Sequence, residues 1–247
     1  MNKKSIYQFS ENTLSLFSIK AIELGLTIFL IPYLILKVGI VNYGVYAFAM
    51  ALLLFLQNVL NYGFNLSTVR DIAKNRHNKE VVNSIFSQVI SVKLFLLVLI
   101  SLLYLIVVLS IPTVKEQKTL YLFGILILFG DLFSLRWFFL GMEQLKFKAI
   151  INLVSVLLYV VLVVLLVKNS TDYYWIPFAE GLAFLIVALI SFGMVVRTYK
   201  IKIKLIPIFE ILSYLKANFS SFINLVLPST FGVMAIFLVG VFGIPLQ

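Results

Sequence analysis

Long apolar runs separated by short polar segments dominate this chain. A helix needs about 20 mostly apolar residues to cross the hydrocarbon core of a bilayer, and about seven runs have that length. The predicted spans cover residues 14–36, 43–64, 84–111, 120–140, 149–167, 174–196 and 218–241. The pattern therefore predicts an all-α, polytopic transmembrane bundle of about seven spans.

These runs lack the alternation of a membrane strand. Residues 94–100, Leu-Phe-Leu-Leu-Val-Leu-Ile, are apolar at every position. A strand of a membrane barrel alternates apolar and polar residues, whereas a helix surrounded by lipid is apolar on all sides. The runs are therefore interpreted as helices.

Composition supports a membrane protein and excludes several kinds of site. Of 247 residues, 62% are hydrophobic and 12% are charged, against about 45–50% and about 25% in soluble domains. The chain has no cysteine and one histidine, His77, in a polar loop. Disulfides, thiolate metal sites and cysteine nucleophiles are excluded, and the residues around His77 resemble neither a metal site nor a catalytic triad. We therefore expect no cofactor, no metal and no catalytic residue, and interpret the protein as not an enzyme.

The positive charges predict the orientation of the bundle. Cytoplasmic loops of membrane proteins carry an excess of Lys and Arg. With the N-terminus inside, 14 of the 20 Lys and Arg residues fall in cytoplasmic segments and four in outer ones. This bias predicts a cytoplasmic N-terminus. It also explains the net charge of +10 without any binding of nucleic acid.

The polar segment 197–217 interrupts the series of spans. After Pro207, the apolar residues Ile208, Ile211, Leu212 and Leu215 recur at helical spacing, which predicts a short amphipathic helix on the inner membrane face. The segment is interpreted as a linker. It separates a six-helix lobe, residues 1–196, from residues 218–247, which are interpreted as the first helix of a second lobe.

Several spans retain ionisable residues, which are costly in lipid. Lys20 and Glu23 lie three residues apart on the first span and therefore on one face. Counted from the cytoplasmic side, Lys93 and Asp131 lie at a similar depth, so these four side chains are predicted to face a shared interior, with Glu180 alone nearer the outer side. Either this set lines a polar cavity for a polar or ionised substrate, or it forms internal salt bridges that hold helices together. Further candidates are Asn61 in the second span and, at the inner mouth, Arg70 and Arg136, which either contact phosphate or act as positive-inside anchors.

Short motifs in successive spans resemble those of a known family. They are Ile-Pro-Tyr at 31–33, Tyr-Gly-Val-Tyr-Ala-Phe-Ala at 43–49, Asn-Tyr-Gly-Phe-Asn-Leu-Ser at 61–67 followed by Arg70, and Trp-Phe-Phe-Leu-Gly-Met-Glu at 137–143 followed by Lys146. In order and spacing they resemble the bacterial polysaccharide flippases, the O-antigen and capsule repeat-unit exporters of the multidrug/oligosaccharidyl-lipid/polysaccharide superfamily. The resemblance covers essentially the whole chain.

The resemblance implies a transporter with two lobes of about six spans each in the bacterial cytoplasmic membrane. It would move oligosaccharide repeat units linked to undecaprenyl pyrophosphate outward by alternating access. The implied partners are this lipid-linked oligosaccharide, membrane lipids and polysaccharide assembly proteins. On this analogy the residues that meet pyrophosphate and sugar are Lys20, Lys93, Arg70 and Arg136, and the glycines that serve packing and turns are Gly44, Gly63 and Gly141.

One departure from the family concerns length. Family members have a second lobe, whereas this chain stops at Gln247, just after the seventh predicted span. The chain is therefore interpreted as the N-terminal part of a flippase, either as a fragment or truncated gene product, or as half of a split protein. A separate chain supplying the second lobe is a possible partner.

Three other functions remain open at this point. A drug/cation antiporter or a lipid II flippase belongs to the same superfamily, and an antiporter would centre on a carboxylate such as Asp131 or Glu180. A membrane glycosyltransferase or O-antigen polymerase would need acid/base groups in external loops, where the acids are Glu116 and Asp172. A non-catalytic scaffold would have no need of the charges within the spans.

Overall fold

The computed structural model describes residues 3–64 and 67–228, with side chains from residue 17 onward except that of residue 113. The described part is helical and contains no strand. Its helices are α1 (Lys3–Asn61), α2 (Ser67–Asn75), α3 (Lys79–Ser110), α4 (Pro112–Lys115), α5 (Lys118–Phe133), α6 (Arg136–Gly141), α7 (Leu145–Leu166), α8 (Trp175–Thr198) and α9 (Ile208–Ala217). A 3-10 turn, Ser170–Tyr174, precedes α8.

The first two predicted spans are joined directly within α1. Gly39 interrupts the helix with φ 80° and ψ 158°, a backbone conformation that glycine adopts without steric cost. Five stretches of the described residues are apolar and long enough to cross a membrane, and the first of them, Phe17–Asn61, includes this interruption. The break divides α1 into two helical segments.

Contacts with α7 show that the chain reverses direction at this break. Before it, Glu23 lines a cavity beside the start of α7, and the Tyr33 hydroxyl donates to the Val167 carbonyl just past the end of α7, at 3.3 Å. After it, the Tyr46 hydroxyl lies 3.2 Å from that of Tyr159, in the middle of α7. The two halves of α1 therefore run in opposite directions and form two passes. The described residues thus contain six passes, and the prediction of an all-α polytopic membrane bundle is confirmed.

The fourth predicted span is broken where the sequence predicts a continuous helix. Residues 120–140 form α5 and α6, separated by Ser134 and Leu135, whose backbones are not helical (ψ 118° and 33°). Neither residue is proline or glycine, so the residue types that most often interrupt a helix do not account for the break.

Glycines allow α5 and α8 to approach closely. A Cβ on Gly130 would lie 2.7 Å from Cδ1 of Phe184, and one on Gly181 would lie 2.7 Å from Cβ of Leu126. Because small residues let helix backbones come together in membrane bundles, this contact holds α8 and its Glu180 against α5.

The linker is bound along α3 before it becomes helical. Asn83, Ser87 and Ser91 are spaced four residues apart on α3 and therefore share one face. Asn83 Oδ1 accepts the backbone N–H of residue 202, and the Ser87 and Ser91 hydroxyls accept those of residues 204 and 206, at 3.0–3.3 Å. These side chains replace the secondary-structure partners that an extended segment lacks.

The helix predicted after Pro207 is present as α9, and it packs on the end of the second pass. The Tyr62 hydroxyl donates to the Leu215 carbonyl at 3.0 Å, and the Thr68 and Tyr214 hydroxyls lie 3.2 Å apart. Burial raises the pKa of Tyr214, so this hydroxyl stays neutral. A further apolar helix, Phe219–Pro228, follows; the rest of the predicted seventh span lies outside the described residues.

Two of the three motif glycines occupy close contacts. Gly63 has φ +80° and its Cβ position lies 3.0 Å from Cβ of Ser221, while that of Gly141 lies 2.7 Å from the Ile72 side chain. Nothing lies within 4 Å of the Cβ position of Gly44. Packing and turn roles therefore fit Gly63 and Gly141, whereas Gly44 lies within α1 and makes no close contact of this kind.

Candidate functional site

A cavity of about 330 Å³ lies between α1, the α5–α6 break, α7 and α8. Its wall includes four ionisable groups in an otherwise mostly apolar bundle: Glu23, Arg136, Lys148 and Glu180. Ionisable groups in a membrane bundle are stable where they face an interior or a water-filled space. The cavity is therefore the candidate functional site.

One face of α7 forms a polar stripe along the cavity. Lys148, Asn152, Ser155 and Tyr159 all line it, and their spacings of four, three and four residues place them on one helical face. At 1.5 Å per residue, Lys148 and Tyr159 are about 16 Å apart along the helix axis. The polar wall therefore runs through roughly half the thickness of a hydrocarbon core.

Cations are concentrated at one end of this wall. Arg136 is exposed to the cavity directly after the α5–α6 break, and its guanidinium carbon lies 5.9 Å from the centroid of the Phe184 ring. Lys148 belongs to the first turn of α7. Arg136 and Lys148 can together bind a phosphate group, the guanidinium through paired hydrogen bonds and the ammonium as a point charge.

Lys20 and Glu23 form an ion pair of 2.8 Å at the same end of the cavity. The Glu23 side chain is 17% exposed and lines the cavity, whereas that of Lys20 is 57% exposed. The structure therefore confirms that the two share a face. Lys20 itself lies at the edge of the bundle and is not part of the cavity wall.

Glu180 lies toward the other end of the polar wall. Its Oε2 accepts a hydrogen bond of 2.9 Å from the Tyr46 hydroxyl, and that hydroxyl is also 3.2 Å from the hydroxyl of Tyr159. The expectation that Glu180 lies alone is wrong, because it shares the cavity with Glu23 and is hydrogen-bonded to tyrosine. Hydroxyls and a carboxylate in this arrangement can donate to and accept from a polyhydroxyl ligand.

Lys93 and Asp131 form a separate, fully buried pair. Lys93 Nζ donates to Asp131 Oδ2 at 3.0 Å and to the Asp131 carbonyl at 2.6 Å, and the two side chains are 0% and 3% exposed. Neither residue belongs to the cavity wall. The single interior predicted for Lys20, Glu23, Lys93 and Asp131 is therefore wrong, since the structure divides them into two pairs. The pairing arises because Lys93 on α3 faces the end of α5.

Arg70 and Asn61 also lie outside the cavity wall. Arg70 is 70% exposed and lies 3.8 Å from Asp71, and the Asn61 amide donates to the Gln57 carbonyl one turn earlier at 2.8 Å. Arg136, by contrast, reaches the cavity itself. Of the two arginines predicted at the inner mouth, only Arg136 is positioned to contact a ligand there.

Sequence reasoning missed Lys148, Tyr46 and Tyr159. The regular spacing of polar residues on α7 identifies Lys148 and Tyr159, but Lys148 lies one residue before the predicted span 149–167 and is therefore one of the 14 cytoplasmic Lys and Arg residues. No local pattern identifies Tyr46, whose contact with Glu180 joins positions 134 residues apart. Among the described residues, no group of three His, Asp or Glu side chains could hold a metal ion.

Comparisons with known proteins agree with the resemblance in the motifs. Residues 9–243 match the family described as "Polysaccharide biosynthesis protein". A relative from Escherichia coli K12 is 29% identical over 67% of this chain and 40% of its own length, and one from Shigella dysenteriae is 27% identical over 90% of this chain and 55% of its own length. Both carry the name "Putative O-antigen transporter". The chain spans about half the length of these relatives, and no solved structure matches it significantly.

Proposed function

Because the chain belongs to the polysaccharide biosynthesis protein family, we propose that it takes part in exporting oligosaccharide repeat units linked to undecaprenyl pyrophosphate. The units would cross the bacterial cytoplasmic membrane by alternating access, for the synthesis of O-antigen or capsular polysaccharide. The names of the two relatives support export of this class of molecule.

Cations occupy one part of the cavity, and carboxylate and hydroxyl groups occupy another. This distribution is the main support for the proposal. Arg136 and Lys148 are placed to bind an anionic group near one end, while Glu180 and its tyrosine partners present carboxylate and hydroxyl groups further along. A lipid-linked sugar has this same division, with a pyrophosphate next to polyhydroxyl rings. The cations would bind the pyrophosphate, and the carboxylate and hydroxyls would bind the sugar.

The orientation of the cavity fits entry from the cytoplasm. The excess of Lys and Arg predicts that the start of α7, and with it Lys148, lies on the cytoplasmic side. Lipid-linked repeat units would then present their pyrophosphate to the cationic end of the cavity. The protein would act without catalytic chemistry, because transfer between leaflets breaks no covalent bond.

We further propose that export requires a second helical lobe. The relatives are about twice as long as the matched region, and alternating access is achieved by one helical bundle moving against another. The second lobe would complete the cavity wall, and polysaccharide assembly proteins and membrane lipids would be further partners.

Complementation of export tests the proposal. The chain is expressed in a bacterial strain that lacks its own repeat-unit flippase and makes a compatible repeat unit, alone and together with a second-lobe polypeptide from a relative. Surface polysaccharide is then measured. Restored surface polymer in either arrangement supports the proposal, whereas none in both, despite confirmed membrane insertion, contradicts it.

A cation antiporter is the second candidate because a carboxylate lines the cavity. Glu180 is accessible from this space, whereas Asp131 is held by Lys93. For an antiporter, Glu180→Gln would abolish cation-driven drug efflux while preserving the shape of the site. Efflux that is present in the parent and lost in this variant would favour the second candidate.

A further inference from the structure

We propose that Lys93 and Asp131 are positioning residues that hold Arg136 in the cavity and do not themselves bind the transported molecule. This inference concerns the site of the proposed function, but it stands on the geometry of the α5–α6 break.

The break sets the direction in which Arg136 points. Ile127 on α5 lines the cavity, and Arg136 follows nine residues later. In an uninterrupted helix of 3.6 residues per turn, nine residues rotate a side chain by about 900°, so Arg136 would lie on the face opposite Ile127. Because both residues line the same cavity, the interruption at Ser134 and Leu135 is what places Arg136 there.

Lys93 stabilises this interruption through two bonds to one residue. The Asp131 carbonyl accepts the Ser134 N–H at 3.1 Å in a tight turn, and it also accepts Lys93 Nζ at 2.6 Å. The carboxylate of Asp131 accepts the same ammonium at 3.0 Å. The last carbonyls of a helix lack helical partners, and a cation at this end is favourable. Lys93 thus provides a partner at the point where the helix stops.

The same face of α3 also anchors α6. Phe86 lies seven residues, or two turns, before Lys93, so both project from one side of α3. The Phe86 ring lies 5.3 Å from Trp137 and 5.7 Å from Phe138 between ring centroids. α3 therefore holds α5 through Lys93 and α6 through Phe86, one on each side of the break.

Because Lys93 is buried, it can hold Arg136 in position but cannot itself contact a molecule in the cavity. Lys93 has no exposed side-chain surface and both of its hydrogen bonds go to Asp131. A molecule in the cavity reaches Arg136 but not the ammonium of Lys93. A change at Lys93 should therefore act on the cavity through the position of Arg136.

Thiol reactivity tests this directly because the chain contains no cysteine. Arg136→Cys is introduced into the full chain in two backgrounds, one with Lys93 and Asp131 unchanged and one with the double substitution Lys93→Met/Asp131→Asn. Replacing both residues together removes the pair and leaves neither charge buried without its partner, and it leaves the net charge of the protein unchanged. Ser155→Cys, on the cavity face of α7, is the control in the same two backgrounds.

The rate of modification by methanethiosulfonate ethylsulfonate is measured on purified, monodisperse protein. We expect loss of the Lys93–Asp131 pair to lower the rate at Arg136→Cys at least tenfold, because a thiol that rotates out of an accessible space reacts slowly. The rate at Ser155→Cys should be nearly unchanged. An unchanged rate at Arg136→Cys would overturn the proposal, and so would an equal fall at both positions, which would show general collapse. The readout involves no transport, so it is independent of whether the proposed export function is correct.

Discussion

The close contact between α5 and α8 predicts a specific response to a single methyl group. A Cβ on Gly181 would lie 2.7 Å from Cβ of Leu126 and 3.1 Å from the backbone nitrogen of Ile127. Neither atom can move by a side-chain rotation, so the helices themselves must separate. Overpacking of this kind costs about 1–3 kcal/mol.

The same helix provides a matched control. Gly193 on α8 has nothing within 4 Å of its Cβ position. Both Gly181→Ala and Gly193→Ala gain the helix-propensity difference between glycine and alanine, about 1 kcal/mol. The difference in unfolding free energy between the two variants therefore isolates the packing cost, about 1–3 kcal/mol in favour of Gly193→Ala.

Thermal unfolding in detergent measures this difference, with intrinsic tryptophan fluorescence as the signal, since Trp175 begins α8. We expect a lower midpoint for Gly181→Ala than for Gly193→Ala, and a midpoint for Gly193→Ala at or above that of the unmodified chain. Equal midpoints for the two variants would refute the close approach of α5 and α8. A larger loss at Gly193→Ala would refute it as well.

Two further predictions concern the linker and the loop after the second pass. Ser87→Ala removes the hydroxyl that binds the linker backbone and leaves an N–H without its partner, at a cost of about 1–3 kcal/mol, so amide hydrogen exchange in residues 202–206 should become faster. Ser101→Ala on the same helix, whose hydroxyl has no partner among the described residues, should leave that exchange unchanged; equal effects would contradict the linker contacts. Gly63→Ala should lower the unfolding midpoint, because φ is +80° and the Cβ position is crowded, a strain of about 1 kcal/mol or more. Gly44→Ala should not lower the unfolding midpoint. A lower midpoint for Gly44→Ala with none for Gly63→Ala would show that the loop geometry at Gly63 is incorrect.

The sequence predicts the passes well because hydrophobicity over about 20 residues is a signal that membrane insertion itself requires. It does not reveal the break at Ser134 and Leu135, because neither of these residues nor their immediate neighbours is proline or glycine. The break depends on Lys93 and Phe86 of α3, and a contact between distant helices leaves no local pattern.

Part of the candidate site can also be predicted from the sequence. Arg136 and Glu180 stand out as ionisable groups in or beside apolar runs, and both line the cavity. Whether a given charge faces the cavity or a neighbouring helix depends on helix rotation. For this reason Lys93 and Asp131 pair with each other and do not share the interior that the sequence predicts for them with Glu23. The depth of a residue in the membrane can be counted from the sequence. The direction in which its side chain points around the helix depends on the neighbouring helices, which the sequence does not give.

If the cations of the cavity bind the exported molecule, replacing Arg136 by alanine should impair the export of surface polysaccharide. The variant is compared with Arg70→Ala, which removes an exposed arginine outside the cavity wall, in the arrangement that restores export. Loss of a charge-assisted hydrogen bond of about 1.5–3 kcal/mol predicts at least a tenfold lower rate of export for Arg136→Ala, at unchanged protein level, with Arg70→Ala close to the parent. Export by Arg136→Ala at the parental rate, or equal loss in both variants, would show that Arg136 does not bind the exported molecule in the cavity.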